Sequence, residues 1–191
     1  MLMMNDWDLE STVDLCSNPV ASRHGDMVYF RYRGPKLRIQ VPESYLRYSP
    51  TKYDTLTVDL PDSAIEKLKA FDDRIVHQIA RRNAYGLLGR SVTDVEVRKA
   101  YRPVLREAEG STSFAARNCR YFNKSLERIV KEQVKEDSYV IIVMQPGWLF
   151  FKEGQITCTL LALDCLVTKT DDDSECLIHL ETQDDGSMQY S

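Results

Sequence analysis

From Gln155 to Lys169 the chain stays extended for far longer than the usual strand of about 5–6 residues. A strand of that length bends around a barrel more readily than it lies in a flat sheet. Ahead of it, Tyr139-Val140-Ile141-Ile142-Val143-Met144 is β-branched and short, the pattern of a buried strand. Pro146-Gly147 marks a turn before another strand at Trp148 to Phe151, and Cys176 to Leu180 supplies a last extended run. Nearer the start, Met27 to Arg33 and Lys36 to Val41 read as two antiparallel strands broken by Gly34-Pro35. The second alternates strictly, with Leu37, Ile39 and Val41 on one face and Lys36, Arg38 and Gln40 on the other. Tyr45 to Tyr53 reads as a loop. Leu56, Val58 and Leu60 then alternate with Thr55, Thr57 and Asp59 in a third strand that stops at Pro61.

Two helices interrupt the strands. Ile65, Leu68, Phe71, Ile75 and Ile79 recur at spacings of three and four behind a start at Asp62 or Ser63, with Glu66 placed for a capping box. Arg81-Arg82 suits the negative end of that helix, and Gly86 and Gly89 open the loop after it. Thr93 with Glu96 starts a shorter helix that Pro103 closes. Residues 104–124 read as a loop followed by an irregular strand, and Leu126 to Asp137 suits a helical turn or a strand. Strands, then helices, then strands, with no regular βα alternation, predict an α+β fold. Its form is an OB-like curled antiparallel β-barrel with two inserted helices and an acidic C-terminal segment. The expected boundaries are an acidic N-terminal arm over 1–22, the barrel domain over 23–169, and an acidic segment over 170–191 with room for one closing strand.

The chemistry of common enzymes is missing from the sequence. No Gly-rich phosphate loop, H-E-x-x-H, G-x-S-x-G or paired-cysteine zinc signature occurs, so the chain reads as a binding protein without cofactor or catalytic residues. Cys158, Cys165, Cys176 and His179 leave a metal open, although cysteines on neighbouring strands are more often core residues. Asp72-Asp73 beside Arg74 reads as a solvated helix face. No apolar run reaches the roughly 20 residues that span a bilayer, and no signal-peptide pattern opens the chain. The expectation is a soluble protein of a reducing, intracellular compartment with no membrane partner.

Charge is sorted along the chain. Residues 1–20 carry a net −4, residues 21–124 a net +8 and residues 125–191 a net −8. A basic middle of this kind attracts a polyanion, and an acidic end competes with it. Within the middle, basic and aromatic side chains are interleaved, the combination that holds single strands by phosphate contact and base stacking. The candidate binding residues are Tyr29, Arg31, Arg33, Lys36, Arg38, Arg47, Tyr48, Lys52, Tyr53, Arg117, Arg120 and Lys124. Phe30 and Tyr32 alternate with Val28 and favour core packing, and Trp148, between Pro-Gly and Leu-Phe-Phe, also reads as core.

A family likeness rests on a set of dispersed segments. They are Val28 to Gly34, Lys36 to Pro42, Tyr53 to Leu60, Phe71-Asp72-Asp73-Arg74-Ile75-Val76, Asn83, Gly89-Arg90, Tyr101-Arg102-Pro103, Trp148 and Gly154. In this order the chain resembles the single-stranded DNA-binding proteins of large double-stranded DNA viruses, and is similar in logic to phage replication proteins with an OB-like barrel and acidic tail. It departs from that pattern between 104 and 124 and in ending Met-Gln-Tyr-Ser. The resemblance implies a protein that coats single-stranded DNA during viral DNA replication, at replication sites in the infected cell. It implies replication proteins as partners of the acidic tail, and leaves RNA binding and homo-oligomers open. The alternative is a viral structural or host-interaction protein that uses the same Tyr and Arg residues as a protein interface.

Overall fold

In the computed structural model of the protein, the long run 155–169 is one arm of a hairpin on which the rest of the sheet is assembled. The structure describes residues 1–9, 13–15, 20–22, 25–32, 37–50, 54–82, 92–106 and 109–170, without the side chains of 13–15, 22, 31, 32 and 82. The strands in chain order are β1 (Leu2–Met3), β2 (Val13–Leu15), β3 (Val20–Ser22), β4 (Gly25–Tyr32), β5 (Ile39–Gln40), β6 (Ser44–Tyr48) and β7 (Thr55–Asp59). Helices α1 (Asp62–Arg82) and α2 (Asp94–Ala100) follow. The chain continues through β8 (Tyr101–Arg102), β9 (Leu105–Arg106), β10 (Ser111–Ala115), β11 (Arg120–Phe122), β12 (Arg128–Ile129), β13 (Ser138–Lys152) and β14 (Gln155–Lys169).

Five of these strands close on themselves. β13 pairs with β6, β6 with β7, β7 with β10, and β10 runs parallel to β14, which returns antiparallel to β13. Counted along the chain the ring runs first, second, third, fifth, fourth and back to first, which is the OB arrangement of a small Greek-key barrel. The two helices are inserted between its second and third strands. The fold is therefore the α+β, OB-like barrel expected from the sequence.

The hairpin β13–β14 extends well beyond the ring. The free edge of β13 takes up β6 at 138–140, β5 at 143–144 and β4 at 148–151 in series. The edge of β14 takes up β8 at 156–157, β10 at 161 and β11 at 164–166. Met27 to Arg33 and Lys36 to Val41 were expected to pair with one another; instead β4 and β5 lie one after the other on β13. The register skips at Tyr139/Val140, Val143/Met144 and Pro146/Trp148, and such bulges bend a strand and increase its twist.

Several local expectations are corrected. Pro146-Gly147 is not a turn: the strand runs through it, with Gly147 as the extra residue of the third bulge. Ser44–Tyr48 is a strand rather than a loop, because its alternate residues Ser44 and Leu46 are buried against β13 and β7. Residues 104–124 hold three strands, and 126–137 holds a short strand and a single 3-10 turn at Lys131–Gln133. Helix α1 begins at Asp62, with the Pro61 carbonyl accepting from Ala64 and Ile65, so Ser63 lies inside its first turn. A capping box opens α2 at the start expected from Thr93 and Glu96: Glu96 N donates to Thr93 Oγ1 at 3.3 Å and Thr93 N to Glu96 Oε2 at 2.9 Å.

The core fills the barrel and continues beneath the hairpin. Leu56, Val58, Phe114, Ile142 and Leu160 point into the ring, while Val28, Phe30, Leu149 and Ile156 lie on the face that meets α1. From α1, Ala64, Leu68, Phe71, Ile75 and Ile79 are buried, as the helical spacing requires. Phe71 lies 5.2 Å from Trp7 and 6.0 Å from Phe30, ring centre to ring centre. The first residues are thus part of the core, with Met4 and Trp7 both about 1% exposed.

Candidate nucleic-acid interface

Alternation along β13 and β14 sends one set of side chains into the core and the other outward. Directly opposed residues share a face, so the pairings define rows across the sheet. At the outer end, Tyr29, Trp148 and Thr159 form one row across β4, β13 and β14. Val20, Met27, Phe150, Thr157 and Arg102 form the next, across five strands. Their neighbours Val28 and Leu149 are buried, so these rows face away from α1. Tyr29 is 43% exposed, and its ring meets Trp148 edge to face at 6.3 Å.

Trp148 was expected in the core and is not there. Met144 and Pro146 point inward, and unbroken alternation would have sent residue 148 inward too. The extra residue at Gly147 resets the phase and turns Trp148 out. A Cβ on Gly147 would stand 3.0 Å from Leu161 Cγ and 3.2 Å from the Thr159 carbonyl, so this bulge is packed closely against β14.

Nearer the ring, the same outer face carries a second group. Arg120, Asp164, Val143 and Gln40 make one row and Arg128, Phe122, Leu166 and Ile141 another. Arg38 is exposed and by alternation shares the side of Gln40. Arg120 donates from Nε and Nη2 to the two oxygens of Asp164 at 2.6 and 2.8 Å, and its guanidinium lies 6.0 Å from the Phe122 ring centre. The hydrogen bond to Asp164 raises the Arg120 pKa. That fork leaves the Nη1 edge of Arg120 for another acceptor.

The candidate residues from the sequence divide accordingly. Tyr29, Arg38 and Arg120 are brought onto this one face. Arg47 is on β6, away from it, and is held between Asp59 at 2.9 Å and Glu109 at 3.0 Å. Its charge is largely spent within the protein. Tyr48, also on β6, is 53% exposed. Arg117 is exposed in the turn after β10, and Lys124 in the turn between β11 and β12. The Arg31 side chain and all of Arg33, Lys36, Lys52 and Tyr53 lie outside the described residues. Trp148, Phe150, Met27, Arg102, Phe122 and Arg128 were not singled out from the sequence as binding residues. The signal that could have found them is pairing, which is non-local.

The second and third ring strands, where OB barrels commonly bind oligonucleotides, look different here. The outward residues of β7 and β10 are Thr55, Thr57, Asp59, Ser111, Ser113 and Ala115. Thr57 and Ser113 hydroxyls hydrogen-bond to each other at 3.0 Å, and Asp59 is paired with Arg47. This face has hydroxyls and closed ion pairs but no aromatic ring among its described residues.

Other candidates do not gather into a site. Among the described residues no group of three or more His, Cys, Asp or Glu side chains is placed to hold a metal, and Cys176 and His179 lie outside them. Cys165 is buried, Cys119 and Cys158 are half-buried, and burial raises the Cys119 pKa to about 12. No described helix is long and apolar enough to cross a membrane.

No family model matches the sequence, and no curated protein matches it. Among solved structures, the chain is similar to the single-stranded DNA-binding protein from bacteriophage Enc34, with 15% identity and a TM-score of 0.47 over 92% of this chain and 96% of that one. A C-terminal truncation of the same phage protein matches with 16% identity and a TM-score of 0.49, over 83% of this chain and 95% of that one. The phage protein in complex with single-stranded DNA matches with 16% identity and a TM-score of 0.45, over 85% of this chain and 97% of that one.

Proposed function

We propose that this protein binds single-stranded DNA on the outer face of its long hairpin, and that it does so in viral DNA replication by coating exposed strands. The observation that carries the reading is the Tyr29–Trp148 pair, displayed outward on a barrel extension with Phe150 and Arg102 in the adjoining row. Aromatic rings stack on bases of any sequence, at about 1–3 kcal/mol per base, and flanking cations meet the phosphates. The role is binding, with no bond made or broken. Val20 and Met27 lend the same face an apolar margin that suits a protein partner, which is the second reading.

Intrinsic fluorescence separates the two. Of the two tryptophans, Trp7 is buried and Trp148 lies on the proposed surface, so stacking should quench the emission of Trp148 alone. Oligo-dT should quench it, Trp148→Phe should abolish the signal, and Tyr29→Ala should weaken binding by about tenfold, near 1.4 kcal/mol. Binding to a single strand should exceed binding to the same-length duplex at least tenfold, with an RNA of equal length testing sugar preference. Log affinity should fall against log salt at about −0.7 per phosphate contacted. Equal affinity for single strand and duplex, or a slope near zero, would favour the protein interface.

A further inference from the structure

We infer that Phe122 is a second base-stacking station, flanked by Arg120 and Arg128, and that one nucleic-acid strand follows β14 from Trp148 to this point. The inference rests on the reading of the hairpin face as a single-strand site and extends it to a path and a length. Three observations carry it. First, Phe122 and Trp148 belong to rows on the same outward face of β14: Trp148 is opposite Thr159, and Phe122 is opposite Leu166. Second, Phe122 is the aromatic member of a basic group, with Arg120 against its ring and Arg128 directly across on β12. Third, the charge on this stretch is arranged for a ligand. Asp164 is ion-paired with Arg120 through one edge of the guanidinium, which fixes that side chain beside the ring and leaves Nη1 to donate to a phosphate.

The spacing sets the length of strand required. Thr159 and Leu166 are separated by six regular steps of β14 once the bulge near Leu163 is set aside, about 20 Å at 3.3 Å per residue. A stacked strand rises about 3.4 Å per nucleotide and an extended one roughly twice that, so about three to six internucleotide steps separate the stations. A strand occupying both is therefore roughly four to seven nucleotides long, within the range of about 4–16 for one OB fold.

The test compares a three-nucleotide and a twelve-nucleotide oligo-dT on the full chain, read by quenching of Trp148. The short oligomer reaches one station and the long one both. In the wild type the long oligomer should bind at least tenfold more tightly than the short one, beyond the gain from its extra binding registers. Phe122→Ala should remove that extra gain and leave the affinity and quench amplitude of the short oligomer unchanged, which also shows that the fold survives. Phe122→Leu, which keeps the apolar bulk without the flat ring, should behave like Phe122→Ala. If Phe122→Ala keeps the full length dependence, or Phe122→Leu restores it, the second station is wrong. If no oligomer quenches the wild type, the single-strand reading itself has failed, and that result differs from either of these.

Discussion

Asp72, on α1, is buried and accepts hydrogen bonds from the Tyr101 hydroxyl at 2.5 Å and from Val104 N at 3.2 Å. It ties the helix to the start of β8, whereas its neighbour Asp73 stays exposed and pairs with Arg98 at 2.7 Å. In the sequence the two carboxylates are indistinguishable, and both read as solvated. Adjacent helix positions diverge by about 100°, and that rotation alone sends one inward. Desolvation raises the Asp72 pKa from 3.8 to about 6, against the opposing pull of the hydrogen bonds. A carboxyl whose folded pKa is raised is more protonated in the folded than in the unfolded chain between those values, so its contribution to stability declines as pH rises from about 4 to about 6. The decline amounts to on the order of 3 kcal/mol at most. Asp72→Asn keeps an acceptor for Tyr101 but has no proton to lose. Urea midpoints measured from pH 4 to pH 7 should therefore fall less steeply with pH in the variant than in the wild type. Parallel curves would mean that Asp72 is not the group responsible.

At the scale of elements, Gly147 decides which way the aromatic surface looks. Gly147→Val would drive a branched side chain toward Leu161 Cγ and the Thr159 carbonyl, both close to where a Cβ would lie. The bulge should distort and the strand phase slip, costing about 1–3 kcal/mol of stability. The Trp148 emission should shift as its ring leaves the Tyr29 edge, and quenching by oligo-dT should fall with it. An unchanged spectrum and unchanged quenching would show that the bulge does not hold the pair. The same residue explains what could be read without the structure. Helix α1, the capping box at Thr93 and the strand at 155–169 depend on patterns within one segment, so periodicity and end signals locate them. The partners of β4 and β5 depend on a strand more than a hundred residues away, and local alternation carries no information about which edge they join. Trp148 reads as core from its apolar neighbours beyond a supposed turn, whereas its face is set by strand phase, which the single inserted Gly reverses. Ser44–Tyr48, between Pro42 and Pro50, had the alternation of a strand but lay among turn-forming residues that outweighed it.

For the whole molecule, the proposed binding face has to be weighed against the charge the chain itself carries. Residues 170–191 contain seven acidic and no basic side chains, and 171–191 lie outside the described residues. The described chain ends at Thr170, which lines two clefts, one with Lys124 and Lys169, the other with Lys131 and Lys135. A tethered acidic segment leaving from there has a high effective concentration at any basic surface it can reach. The charges it would screen are Arg38, Arg120 and Arg128, the same ones that would meet a phosphate backbone. Replacing Asp171, Asp172, Asp173, Asp184 and Asp185 with Asn removes most of that competition while leaving in place any closing strand at Cys176 to Leu180. The variant should bind oligo-dT more tightly than the wild type at low salt, severalfold or more. The gain should shrink as salt rises through about 0.1–0.2 M, where the screening length falls to roughly 8–10 Å. A gain that is constant with salt would indicate a change in shape rather than relief of charge. Equal affinity at every salt concentration would show that the acidic segment does not screen the face, leaving partner recruitment or simple solubility as its role.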